Sequence, residues 1–173
     1  MPSIQAIANA LSDTFTDDRY GVGTTYLQTD AEVASLGSGV DATLTWSLLK
    51  GEREWIFVKA AEAILAGQLC ETDAADPFFA EPCDGDSVDP MLLLGVADHA
   101  IDAGSYGWLV RRGTCVVLAE GTLTANVAVD SDGAGAGEGY VEATAGAGSS
   151  IGRTLEAEGA TLATYAQVYI SIP

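Results

Sequence analysis

His99 and the three cysteines Cys70, Cys83 and Cys115 are the side chains of this sequence that could do proton-transfer or thiolate chemistry near neutral pH. His99 follows Asp98 directly. Neighbours on a strand point to opposite faces, so the dipeptide does not pair carboxylate with imidazole, and no Ser or Cys sits in a nucleophile motif. His99 therefore reads as a structural or solvent-facing residue. The cysteines are odd in number, lack a Cys-x-x-Cys spacing and follow no secretory segment, so they read as reduced thiols.

Carboxylates are abundant, and abundance weakens them as a signal. With 25 Asp and Glu, proximity by chance is nearly certain, and a glycosidase pair would rest on number alone. Asp84, Asp86 and Asp89, or Asp130 and Asp132, could offer oxygens to Ca²⁺, yet neither run completes an Asp-x-Asp-x-Asp-Gly loop with its distal Glu. They read as solvated loop charge. The tract Gly133 to Gly139 lacks the Gly-Lys-Ser/Thr ending of a phosphate loop. No catalytic, metal or cofactor residue is assigned, and the expectation is a protein that is not an enzyme.

Binding residues are easier to nominate than catalytic ones. Arg111-Arg112 is the one adjacent basic pair and suits ion pairing across a hairpin or a subunit boundary. Phe78 and Phe79 fall inside an acidic excursion, Glu71 to Pro90, where an apolar pair suggests a contact site. Ile4, Ile7 and Leu11 form an apolar stripe at i, i+3 and i+7 near the start. Trp46, Trp55, Tyr106, Trp108, Tyr165 and Tyr169 fall mostly in strand-like runs, as core or interface anchors first and a carbohydrate platform second.

Charge narrows the partner. Seven Lys and Arg against 25 Asp and Glu give a net charge of −18, and the pI is near 4.1. Such a chain is repelled by phosphate backbones and anionic lipid, so neither nucleic acid nor a membrane surface is expected. A hydrophobic fraction of 48% and a mean hydropathy of +0.21 still argue for a folded core. Nine of the acidic residues lie between Glu71 and Asp102, a stretch with no Lys or Arg. The N-terminus carries no basic residue before Arg19, so it does not read as a signal peptide.

The elements that must position these residues are short strands. The 173 residues fit one domain, with 20 Gly and only 2 Lys. Strand-like runs are Thr43–Leu49, Glu54–Lys59, Gln68–Glu71, Leu92–Ala97, Gly107–Arg111, Thr114–Leu118, Asn126–Val129 and Gln167–Ile172. Arg112-Gly113 reads as a hairpin turn between two of them. Ahead lie two short helical signals, Ser3 to Leu11 and Asp30 to Leu36, the second with a Thr29/Glu32 capping box and Gly37 as its stop. The fold expected is mainly β, an antiparallel β-barrel or sandwich of two similar modules with a short N-terminal arm containing one or two short helices. Residues 1–45 are the arm, and residues 46–173 are the body.

An internal repeat supports the two modules, about 55–112 and 113–173. A shift of 58 sets Val58, Ala61, Glu62 and Leu65 on Val116, Ala119, Glu120 and Leu123. After small indels Gly95 meets Gly152, and Tyr106 meets Tyr165. Each copy alone is too small to bury its apolar face, so the two must share a core.

The run Val58 to Asp73 (VKAAEAILAGQLCETD), then Gly95-Val96-Ala97, then Ala103-Gly104-Ser105-Tyr106 leading to Val110, resembles the small β-barrel head-decoration (cement) proteins of tailed bacteriophages. Ile151-Gly152-Arg153-Thr154-Leu155 is similar to a later strand of that family. The resemblance covers about residues 55–173 and departs from the family in the acidic insertion at 71–90. It implies a non-catalytic virion protein, located on the capsid surface, that binds the major capsid protein, associates with itself as a homotrimer and clamps the shell. The alternatives are a tail or spike module binding a surface glycan, favoured if Trp55 or Trp108 is exposed, and an acidic-site β-barrel hydrolase.

Overall fold

The computed structural model describes residues 11–29, 51–74, 76–84, 89, 91–120, 123–132, 139–143, 150–155 and 164–173. The helical signals at 3–10 and 30–36 and the strand-like run 43–49 lie outside the described residues. What is described is all strand and connection, with no helix. The strands are β1 (Thr25–Gln28), β2 (Arg53–Ala60), β3 (Leu69–Thr72), β4 (Phe79–Pro82), β5 (Leu93–Ala97), β6 (Tyr106–Ala119), β7 (Ala128–Asp132), β8 (Tyr140–Ala143), β9 (Gly152–Thr154) and β10 (Thr164–Ser171).

All ten strands join one mixed sheet whose order is β1-β2-β4-β3-β5-β6-β10-β9-β7-β8, with added pairings of β2 to β6 and β6 to β8. Those two added pairings close the ladders into rings. β2, β4, β3, β5 and β6 return to β2; β6, β8, β7, β9 and β10 return to β6. A closed ring with an odd number of strands cannot alternate direction all the way round. Each ring accordingly contains one parallel pair, β2 with β4 and β6 with β8, and every other pairing is antiparallel. This corrects the expectation of an all-antiparallel body.

The 14-residue β6 belongs to both rings. The expected hairpin at Arg112-Gly113 is absent, because the strand runs straight through it. Gly113 has a φ of +115°, open to glycine at little cost, and a Cβ there would stand 2.6 Å from the carbonyl oxygen of Glu52. The β2–β6 register shifts at Glu54/Trp55, so one residue, Arg111, is skipped. A Gly with positive φ inside a strand, two residues from a bulge, is thus easily mistaken for a Gly in a turn.

The two rings are built to one register. Trp55, Ile56, Phe57, Val58 and Lys59 pair with Val110, Leu109, Trp108, Gly107 and Tyr106; adding 59 to both members of each pair gives the β6–β10 pairs from Thr114↔Tyr169 to Leu118↔Tyr165 (114 − 55 = 169 − 110 = 59). The shift of 58 read from the sequence is therefore one residue short along this strand. The error matters, since a slip of one exchanges the two faces of a strand. Ile64, fully buried, corresponds to buried Leu123, whereas Leu65, aligned with Leu123 in the sequence, is exposed.

Both rings are also closed by the same backbone approach. A Cβ on Gly95 of β5 would stand 2.7 Å from the carbonyl oxygen of Val110, and a Cβ on Gly152 of β9 would run into the carbonyl oxygen of Tyr169. Gly95→Ala and Gly152→Ala should each cost about 1–3 kcal/mol, as over-packing against paired backbone does. Calorimetry on the two single variants checks this, and a neutral Gly152→Ala would contradict it.

The core follows from strand alternation. Ile56, Val58 and Ala60 of β2 meet Cys70, Ala80, Leu94, Ala97 and Leu109 in one apolar cluster to which all five strands of the first ring contribute. The opposite face of β2 and β6, with Trp55, Phe57, Trp108 and Val110, lies in a larger cluster that runs on into Cys115, Val117, Val129, Val141, Ala166 and Val168 of the second ring. Leu11, Phe15 and Tyr26 belong to that larger cluster too. Residues 11–29, read as part of an arm, thus lie against the body, with β1 paired to β2 and Phe15 bridged to Tyr106.

Candidate partner-binding surface

Residues with acid–base potential sit inside the fold. Asp98 and His99 follow β5, and the Asp98 side chain faces Arg53 of β2 at 4.0 Å, with both side chains buried. Burial pushes the Asp98 carboxyl above its ordinary value, and the Arg53 charge pulls it back in part. His99 goes the other way: burial lowers its pKa against the opposing pull of Asp13. All three cysteines are free and buried, and burial raises the thiols of Cys70 and Cys115, which keeps them protonated and unreactive. No group of three or more metal-ligating side chains occurs among the described residues.

The nominated binding residues do not form one patch. Ile4 and Ile7 lie outside the described residues. Leu11 is 4% exposed and packs in the core. Phe78 is exposed beside Gly23, while Phe79 opens β4 half-buried with the Lys59 ammonium 4.6 Å from its ring centre. Arg111 donates from its guanidinium to the carbonyl oxygen of Pro173. Arg112 is exposed and its Nε lies 3.5 Å from the Tyr169 hydroxyl. That hydroxyl further favours the charged guanidinium.

Two neighbours complete the Arg112 site. Tyr169 of β10 is 39% exposed and lies directly opposite Arg153 of β9, and Tyr165, four residues earlier on the same face, is 38% exposed. Their signal in the sequence was spacing: positions 165 and 169, an even number apart, share a face of a strand. Trp55 and Trp108, by contrast, are fully buried, Trp55 donating from Nε1 to Gln28 Oε1 at 3.0 Å. Neither offers a sugar-stacking face.

The acidic side lies on the first ring. Glu81 of β4 is held above its ordinary value by partial burial and by the nearby charges of Asp73, Glu62, Glu71 and Asp84. Glu71 is raised too, chiefly by burial, although its Oε1 accepts a hydrogen bond from the Asp84 backbone N–H at 3.1 Å.

No protein-family model matches this chain. No curated protein matches it either. Among solved structures it is similar to the head fiber gp8.5 N base of bacteriophage phi29, with a TM-score of 0.49 and 16% identity over 68% of this chain and 92% of the other. A likeness of that size fixes neither the fold nor the role of this chain.

Proposed function

We propose that this chain is a structural virion protein that binds the outside of an assembled phage capsid, contacts the major capsid protein and stabilises the shell without catalysis. One observation carries the reading. The segments that resemble the head-decoration proteins are the ones that build the rings: Gly67, with a φ of +86°, turns the chain into β3; Gly95-Val96-Ala97 lies in β5; Gly104, with a φ of +77°, turns it into β6. Ile151 to Leu155 brackets β9, the counterpart of β5 in the second ring. A clamp needs a rigid body with an exposed binding face, and a sheet closed twice through one shared strand is suited to that role.

Co-sedimentation with empty capsids of its phage tests this. The protein should pellet with expanded shells, bind unexpanded ones more weakly, and raise the temperature at which the expanded shell breaks. Removing residues 1–10 leaves Leu11 and Phe15 in the core and should weaken the pelleting if the first residues reach a capsid subunit. Failure to bind either shell would overturn the proposal.

A further inference from the structure

Two turns of the first ring are built alike. Asp76-Pro77-Phe78-Phe79 leads into β4 and Asp89-Pro90-Met91-Leu92 leads into β5, the same Asp-Pro-apolar-apolar order twice. In each, the fourth residue donates its N–H to the carbonyl oxygen of the Asp, Phe79 at 3.1 Å and Leu92 at 2.8 Å. In each, the third residue donates to Oδ1 of the same Asp, Phe78 and Met91 both at 3.0 Å. Asp at the first position and Pro at the second are what such a turn asks for, and nothing in its geometry asks for an apolar third residue. Yet Phe78 is 38% exposed, Met91 74% and Leu92 48%.

The ladder sets the two turns on either side of β3. β4 and β5 flank that strand, and at its end Thr72 N–H donates to the carbonyl oxygen of Leu92 at 2.9 Å while Asp73 N–H donates to that of Phe79 at 2.7 Å. The turns are therefore about 10 Å apart, two strand spacings, with Asp73 between them. The Phe78 ring lies against Gly23, where a Cβ would stand 2.9 Å from it, and this contact fixes one tip. Residues 71–92 carry seven Asp and Glu and no Lys or Arg, so the field around the tips favours a basic partner. Lys59 reaches this end from β2 but lies over the rings of Phe79 and Tyr106, 4.6 and 5.8 Å from their centres. Two apolar tips, each beside its own carboxylate, fit a protein surface better than a small molecule, which seeks a concave pocket. We propose that the Phe78 and Met91 turns dock on the shell, against a subunit segment that carries an apolar side chain next to Lys or Arg. This rests on the capsid reading and adds to it the contact surface and the chemistry of the partner. Apolar burial at the tips supplies affinity, and the carboxylates of Asp76 and Asp89 select the basic neighbour.

Pelleting of the full chain with expanded capsids, titrated at low and at high salt, tests it. Phe78→Ser/Met91→Ser should weaken binding by more than about tenfold, as loss of two apolar anchors does. Met91→Ser alone, at a site too exposed to matter to the fold, should weaken it in the same direction. Asp76→Asn/Asp89→Asn keeps the Oδ1 acceptors that hold the turns and removes only charge. It should weaken binding at low salt and flatten the salt dependence. Circular dichroism and urea unfolding of each variant confirm an intact fold. Unchanged affinity in Phe78→Ser/Met91→Ser, with the wild type binding, overturns the docking surface and leaves the capsid reading standing. An Asn pair with wild-type affinity and salt response overturns the basic partner. A wild type that pellets with neither shell removes both readings. If the tips meet a second copy instead, ultracentrifugation shows self-association lost in Phe78→Ser/Met91→Ser while pelleting persists, which also overturns the shell contact.

Discussion

Phe57→Ala is expected to destabilise the fold by about 3–5 kcal/mol, the usual loss when a fully buried aromatic ring is removed and the site cannot collapse. Phe57 is 0% exposed and sits at the centre of an aromatic cluster, 5.0 Å from the Trp108 ring, 5.1 Å from Tyr20 and 6.0 Å from both Phe15 and Tyr106. Its backbone also ties down the chain ahead of β1: Gly23 N–H donates to its carbonyl at 2.7 Å, and its own N–H donates to Thr24 at 2.8 Å. These backbone bonds remain in the variant, but the ring that Phe15 and Tyr20 pack on is gone. Residues 11–24 should then open locally before the sheet unfolds. Two measurements separate the effects: urea unfolding for the global loss, and amide exchange at Gly23 and Phe57 for the local one. Tyr20→Ala, at a half-buried site on the rim of the cluster, should cost less. A loss below about 1 kcal/mol for Phe57→Ala would mean that the cluster is not the anchor of this segment. Total stabilities of domains run to about 5–15 kcal/mol, so the predicted loss is a large share.

Strands with strong apolar runs were legible in the sequence. Arg53–Ala60 and Leu93–Ala97 fall within a residue or two of the runs read at Glu54–Lys59 and Leu92–Ala97. The strands that escaped, β1, β4 and β8, have four residues each and little apolar character of their own, and β9 was met only through the family resemblance. A piece as short as Gly152–Thr154 becomes a strand only because β7 and β10 flank it, which is tertiary information. Closure was hidden for the same reason. It depends on β4 inserting between β2 and β3, and no local pattern in Phe79–Pro82 announces a parallel partner.

The candidate surface was half legible. Arg112 stands out because a basic pair is rare in so acidic a chain, but Tyr169, whose hydroxyl its Nε faces, lies 57 residues away (169 − 112 = 57), and Arg153 is placed only by pairing with Tyr169. Only the β6–β10–β9 ladder brings them together. Leu11 shows the converse limit of pattern: of an apolar stripe at helical spacing, the one described member packs inside its own chain. Apolar periodicity marks a face to be covered and is silent on what covers it.

The Arg53–Asp98 pair yields the second large effect. Arg53→Met should cost about 3–5 kcal/mol at neutral pH, because it leaves the buried Asp98 carboxylate without the opposite charge at 4.0 Å. The pair itself need not be strongly stabilising; the loss comes from the charge left behind. The sign of the pH dependence follows from the raised pKa of Asp98. Below the unfolded carboxyl value the group is protonated in both states and contributes nothing. As pH rises through that value toward the folded pKa, the unfolded chain loses its proton first, so stability falls. Removing Arg53 raises the folded pKa further and deepens the fall. The difference between Arg53→Met and wild type should therefore be largest at neutral pH and shrink as Asp98 becomes protonated in acid. His99, with its lowered pKa, destabilises the fold as pH drops below its ordinary value, but it does so in both proteins and cancels from the difference. Adding Asp98→Asn to Arg53→Met removes the stranded charge and should recover part of the loss. Urea unfolding of the four proteins of this cycle at neutral and acid pH measures the coupling. A loss from Arg53→Met that is independent of pH and unrelieved by Asp98→Asn would assign the role of Arg53 to packing against Trp55, whose ring centre lies 5.9 Å from the guanidinium.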